Sequence, residues 1–332
     1  MRRFTFSAVA VLAAAAALSA AATGYHIVGE IQIGGEGGWD YLTVDSAAHR
    51  LYVSHATHVA VIDLDTNKVI GDIPDTPGVH GIAIAPELNK GFVSNGRGNS
   101  VTIFDLKTLK TLGTVATGEN PDDICYDAGS SRVFVFNGRS KSATVIDAKG
   151  NKAAATIPLP GKPEFSVADG KGKVYTNIED TNEIVEIDAA KATVNKKYSL
   201  SPCDGPSGMA LDSKSRRLMS VCSNRVMAIS DPDAGKVVAT PAIGAGSDGA
   251  AFDAGTGYAF SSNGDGTLTI VQQSGGKWEV LENIATERGA RTIAVDEKTH
   301  KVYLPTAKTA PSASGGRATY LPNTFKVLVV GK

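Results

Sequence analysis

A chain of 332 residues carries 33 Lys and Arg against 34 Asp and Glu, a net charge of −1, with 20% charged residues, 42% hydrophobic residues and 36 glycines. That balance excludes a disordered tail and a basic nucleic-acid binder, so nucleic acid is not an expected partner. The length leaves either two domains or one closed repeat architecture with an ample core.

The chain opens on MRRFTFSAVAVLAAAAALSAAATG: two arginines, an apolar run from Ala8 to Leu18, then small residues. This is the pattern of a secretory signal. We expect residues 1–23 to be removed and residues 24–332 to form one domain in the periplasm or outside the cell. The run is short for a membrane span, and no later stretch approaches the ~18 apolar residues that one requires.

From there the chain repeats. The segments YLTVDSAAHRLYVSH, GIAIAPELNKGFVSN, DICYDAGSSRVFVFN, FSVADGKGKVYTN, GMALDSKSRRLMSVC, GAAFDAGTGYAFSSN and TIAVDEKTHKVYLP align Asp45, Pro86, Asp127, Asp169, Asp212, Asp253 and Asp296, spaced 41 to 43 residues apart. Each unit continues with an apolar alternating stretch such as HVAVIDLD or SVTIFDLK and ends with one like KVIGDIPDTPG. Four short strands per unit, divided by Gly, Asp, Asn and Ser turns, are the mark of a propeller blade, whose two apolar faces need neighbours on both sides. The seventh unit stops after three strands, ending in Phe325 to Val330, and the start of the domain, YHIVGEIQIGGEGGW, resembles the fourth strand of the other units. We therefore expect an all-β, seven-bladed propeller of four-stranded antiparallel blades, closed by the N-terminal strand completing the last blade. An open or six-bladed array is the alternative, but it would leave KVLVVGK as an unpaired edge.

The repeats RLYVSHATHVAVIDLDTNKVIGDI, KVYTNIEDTNEIVEID and GNSVTIFDLKTLKTLGTVATGENPDDI resemble the YVTN repeat of exported, YncE-like seven-bladed propellers. The resemblance spans Tyr25 to Lys332 and implies the fold and an exported location. It implies no shared catalytic set. Met219 to Cys222 and Leu304 to Pro305 depart from the YVTN-like strand ending.

In a propeller the loops from outer to next inner strand, and from second to third strand, emerge on one face around the channel. That places Trp39, Asp40, His80, Asp122, Asp123, Glu164, Asp204, Ser207, Asp248 and Arg291 at the mouth, joined by His55, Asn95, Asn137, Asn177, Cys222 and Asn263. The Asn series has the chemistry of turn residues. Asp63, Asp105, Asp147 and Asp188 fall at turns on the opposite face. Asp40, Asp122, Glu164 and Asp248 hold equivalent positions in four repeats, so closure gathers negative charge that solvent, Arg291 or a cation must offset. A divalent metal on Asp122, Glu164, Asp248, His55 and His80 is one possibility, with His55 and His80 as neighbours and imidazole suiting a transition ion. The insertion Thr306 to Thr324 in the last unit should emerge on the same side and offer Arg317 and Tyr320.

Of the three cysteines, Cys203 and Cys222 fall on one face of one repeat, and a disulfide between them is expected in an oxidising compartment. A copper or zinc thiolate site is the minority alternative. Cys125 reads as a small buried hydrophobe. No GxSxG elbow, P-loop or zincin helix is present, and the GGEGG run at Gly34 to Gly38 has no strand-to-helix context. The functional expectation is an exported scaffold binding a small ligand, metal ion or protein partner at the channel-mouth face, with no catalysis. The alternative is a metal-dependent hydrolase or lactonase resembling the gluconolactonase and regucalcin-like propellers, on fold analogy alone.

Overall fold

The computed structural model describes residues 23–310 and 319–332; the proposed signal segment therefore lies outside the described residues up to position 22. Seven four-stranded antiparallel sheets form the chain, with one 3-10 turn at Pro86–Leu88 and no α-helix among the described residues. Blades 1 to 6 begin on the inner strands Leu42–Asp45, Val79–Ala85, Pro121–Asp127, Pro163–Ala168, Pro206–Asp212 and Ser247–Asp253, each followed outward by three strands in chain order. The inner strands contact one another in cyclic order, and Ala294–Asp296 of blade 7 meets Leu42–Asp45 of blade 1, so the ring is closed.

Blade 7 draws its outer strand from the other end of the chain. His26–Gln32 pairs antiparallel with Lys326–Gly331, with Ile31 opposite Val327. Ile31 is buried, and burying a side chain of that size stabilises by about 1.5–3 kcal/mol. Thr23 extends the clasp to blade 6, its backbone N–H and Oγ1 donating to Glu282 at 2.9 and 2.6 Å.

Burial explains the uneven hydrophobicity of the strands. Second and third strands such as Arg50–His55 and His58–Asp63 are buried along almost their whole length because both faces meet a neighbouring blade. Outer strands such as Lys68–Ile73 are largely exposed. The core is accordingly split into seven apolar clusters, one in each interface between adjacent blades. Cations opening the second strands tie neighbours together: Arg50 donates to the Leu106 carbonyl, Lys90 to that of Ala148 and Arg132 to that of Ala189, each in the next blade.

The repeated aspartates close turns. Asp45 Oδ1 accepts the amide N–H groups of Ala47 and Ala48, and Asp63 Oδ1 those of Asp65 and Thr66. Asn95, Asn137 and Asn263 end their second strands, and Asn177 stands one residue before the end of its own, all as fully buried residues within the strand and not as left-handed turn residues. Three of them donate through Nδ2 to hydroxyls of the third strand: Asn95 to Thr102, Asn137 to Thr144 and Asn263 to Thr269. Asn177 instead donates to the Ser207 carbonyl of the next blade at 2.7 Å. Three of these buried amides thus tie second to third strand within a blade and Asn177 ties two blades together; none lines an open entrance.

Candidate functional site

The mouth residues sit where the inner strands are irregular. The register of inner and second strands breaks between Val79 and Ile82, between Pro121 and Ile124, between Pro163 and Ser166 and between Ser247 and Gly249. His80, Asp122, Glu164 and Asp248 fall inside those breaks, and a bulge of this kind re-aims a side chain out of the ladder. Second-strand serines hold the breaks in place. Ser94 Oγ accepts the Gly81 N–H at 2.8 Å and donates to the Asp122 carbonyl in the next blade, while Ser262 Oγ donates to the Arg291 carbonyl at 2.6 Å. Ser54 Oγ accepts the Asp40 N–H at 2.8 Å.

His80 is the hinge of the charged group. Its Nδ1 lies 2.6 Å from Asp40 Oδ2 and 3.5 Å from Asp122 Oδ1. Gly96 leaves room for the ring, since a Cβ there would come within 2.6 Å of Nε2. Burial opposes protonation of His80, but the Asp40 hydrogen bond and the Asp122, Asp40 and Glu164 charges outweigh it and push its pKa up to about 9. Arg291 donates from NH1 to Asp248 Oδ2 at 2.9 Å, and its NH2 lies 3.7 Å from Asp40 Oδ1. Lys162 bridges Glu164 and Glu179. Even so, burial together with repulsion from neighbouring carboxylates raises the pKa of Asp122, Glu164 and Asp248, against the pull of His80, Lys162 and Arg291. Five carboxylates thus face three cations.

Tyr41 sits at the centre. It is buried, and its phenol is held well above its ordinary pKa by burial and then by Asp122, Asp40, Asp248 and Glu164. Its ring meets that of Phe165, three blades away, edge to face at 5.0 Å between centroids, so the two rings touch across the channel. Sequence reasoning missed Tyr41, Phe165, Lys162 and Glu179. The available signal was adjacency: Tyr41 follows Trp39 and Asp40, and Lys162 and Phe165 flank the Pro163–Glu164 pair.

The structure separates the residues expected here into three groups. Asp40, His80 and Asp122 come together, with ligand atoms within 4.8 Å of one another, close enough for a divalent ion; Glu164, Asp248 and Arg291 surround them. Trp39 and Tyr320 form an aromatic shelf beside them, with Trp39 tilted 46° against Tyr320 at 4.6 Å and stacked on Phe325 at 5.1 Å between centroids. His55 is not a neighbour of His80 in this group: it is buried against Phe325 and His58, with ring centroids 4.5 and 4.8 Å away. Burial, followed by the His58 charge, lowers its pKa to about 4. Arg317 lies outside the described residues, and the insertion that carries it is framed by a two-stranded ribbon, Thr309–Ala310 against Thr319–Tyr320.

Asp123 points away from the mouth and accepts the Ser166 N–H at 2.7 Å. Asp204 is an exposed rim residue accepting from Asn182 Nδ2. Cys203 and Cys222 are joined by a disulfide, and Cys125 is a free thiol.

The sequence matches no protein-family model and no curated protein. The fold is similar to solved structures. A chain of the Kuenenia stuttgartiensis hydrazine synthase aligns at 15% identity over 88% of this chain and 96% of that one, with a TM-score of 0.71. A chain of the U3-55K structure aligns at 10% identity over 92% and 98%, with a TM-score of 0.75. At such identities the likeness defines the class, a seven-bladed β-propeller, and nothing finer. No helix among the described residues is long and apolar enough to cross a membrane.

Proposed function

We propose that this chain is an exported, non-catalytic propeller scaffold that binds a small organic cation, an ammonium or guanidinium group, at the channel mouth. The carrying observation is the Tyr41 phenol buried among Asp40, Asp122, Asp248 and Glu164. Burial, with repulsion from neighbouring carboxylates added to it, raises the pKa of Asp122, Glu164 and Asp248 even beside the three cations present. An incoming cation would favour the ionised forms of these acids, and the faces of the half-buried Phe165 and Tyr320 rings would add cation–π attraction of about 0.5–2 kcal/mol. With a pKa near 9, His80 is an imidazolium at neutral pH, a partner to the carboxylates and not a general base there. Export, and membership of the YVTN-repeat, YncE-like propellers, are supported by the N-terminal pattern and repeats of the sequence and by the Cys203–Cys222 disulfide.

Calorimetric and thermal-shift titration with methylammonium, guanidinium, a diamine and magnesium, alongside acetate and phosphate, tests the reading. Saturable stabilisation by the organic cations, reduced in Glu164→Gln and Asp248→Asn, is the expected result. Stabilisation by anions alone, or by no ion at all, would refute it. N-terminal sequencing of material recovered from the periplasm or medium tests export.

A further inference from the structure

The face opposite the mouth carries a cavity of about 370 Å³ between blades 1 and 2, whose lining includes Asp45, Arg50 and Tyr52 of blade 1 and Pro86, Leu106 and Lys107 of blade 2. A space of that size takes a small organic molecule. Tyr52 is fully buried, yet its hydroxyl has no hydrogen-bond partner. Leaving a buried polar group unpaired costs about 1–3 kcal/mol, and a native structure that keeps one calls for an explanation. Packing does not supply it, because Phe92 and Phe134 fill the same position of the second strand in blades 2 and 3.

The other blades act as internal controls. Tyr175 holds this position in blade 4, and its hydroxyl accepts a hydrogen bond from Arg216 NH2, in the first turn of blade 5, at 3.4 Å. The residue of blade 2 that matches Arg216 is Asn89, since each is the left-handed residue just before its second strand. Asn89 has a shorter side chain, and its Nδ2 donates to Asp105 Oδ2 at 2.6 Å instead. Tyr52 thus lacks the partner that the fold gives Tyr175.

Arg50 is under-used in the same way. Its counterpart in blade 2, Lys90, makes three hydrogen bonds, and Arg132 in blade 3 donates to two carbonyls. Among the described residues Arg50 makes one, from NH1 to the Leu106 carbonyl, which leaves the rest of the guanidinium for another acceptor. It stands beside the phenol: burial raises the Tyr52 pKa against the pull of Arg50. The neighbouring acids are engaged by their own turns. Asp45 Oδ1 accepts the Ala47 and Ala48 N–H groups, and Asp63, opposite Arg50 in the hairpin, accepts those of Asp65 and Thr66. Lys107 adds an exposed second cation to the lining.

We propose that Arg50, Tyr52 and Lys107 form a binding site for a small organic carboxylate, with its apolar body against Pro86 and Leu106. A guanidinium, an ammonium and a phenol O–H all donate, and the guanidinium fork matches the two oxygens of a carboxylate. The apolar wall favours an organic body over a bare inorganic anion. The site shares no side chain with the mouth, so it stands or falls independently of the organic-cation reading.

The test is calorimetric titration with benzoate, with benzyl alcohol and inorganic phosphate as controls. Benzoate should bind saturably at one site, phosphate more weakly and benzyl alcohol not at all. Arg50→Gln and Tyr52→Phe should each weaken benzoate binding by about tenfold or more, the loss of one hydrogen bond to a charged group, whereas Glu164→Gln should leave it unchanged. Without ligand, Tyr52→Phe should melt no lower than the parent, which separates recognition from packing. No saturation at millimolar benzoate, phosphate binding as tightly as benzoate, or benzoate affinity unchanged in either variant would overturn the proposal.

Discussion

Replacing His80 with Gln should change how stability depends on alkaline pH. Gln keeps a hydrogen-bond donor near Asp40 but cannot carry charge. In the folded protein the His80 pKa is about 9 against an ordinary 6.5. Between those values the native state holds a proton that the unfolded chain has released. The stabilisation is therefore complete below pH 6.5 and is lost as the pH rises through 9. At 1.36 kcal/mol per pKa unit the shift is worth about 3 kcal/mol. Glu164 acts in the same direction over a lower window, since its folded pKa of about 8 lies above 4.5 and the native state retains a proton there between those values. Melting curves at constant ionic strength should show the wild-type Tm falling as the pH rises from about 6.5 to beyond 9, by several degrees at about 2–4 °C per kcal/mol. The fall should be shallower in His80→Gln and shallower still in His80→Gln/Glu164→Gln. Parallel curves for all three proteins would mean that the mouth carries no such strained charge, and the reasoning would fail.

Three further outcomes follow from the same geometry. Ser94→Ala removes both the acceptor for the Gly81 N–H and the donor to the Asp122 carbonyl; chemical denaturation should show a loss of about 1–3 kcal/mol, together with weaker cation binding. Reducing the Cys203–Cys222 disulfide, which closes a 19-residue separation, should lower stability by about 3 kcal/mol on chain-entropy grounds, readable as a drop in Tm with reductant that a Cys203→Ser/Cys222→Ser variant does not share. Removing residues 1–32 exposes the edge of Lys326–Gly331 and should give aggregated protein by size-exclusion chromatography, whereas removing residues 1–22 should give a folded monomeric or oligomeric ring of unchanged circular dichroism.

The architecture was legible because each blade repeats a physical necessity in the same place. Asp45, Asp127, Asp212 and Asp253 recur since every inner-to-second turn has amide N–H groups needing an acceptor, and that recurrence set the register and the blade number. The side chains at the mouth do not repeat in that way. Asp40, His80, Asp122, Glu164, Asp248 and Arg291 are equivalent in position but unlike in chemistry, so the repeat located them while leaving their pairing open. Their partners depend on which blades face each other and which sit side by side. Lys162 reaches Glu164 in its own blade, whereas Tyr41 of blade 1 meets Phe165 of blade 4 across the channel.

His55 shows where one-dimensional reasoning stops. Sequence placed it on the correct end of the blade, and by that criterion beside His80. Height along the channel axis is only one coordinate, however; distance from the axis is the other. His80 stands on an inner strand, in a register break aimed at the channel. His55 stands one strand farther out, on a face turned toward Phe325 of blade 7. Alternation along a strand decides which blade interface a side chain enters, and strand order decides how far from the channel it sits. Two histidines on one rim thus end in unlike surroundings: one is a protonated partner of two carboxylates, and the other is a neutral ring whose nitrogens both lack partners. That difference is why substitutions at the two positions should separate, with His80 governing the alkaline limb of stability and His55, whose pKa is lowered to about 4 by burial, leaving that limb unchanged.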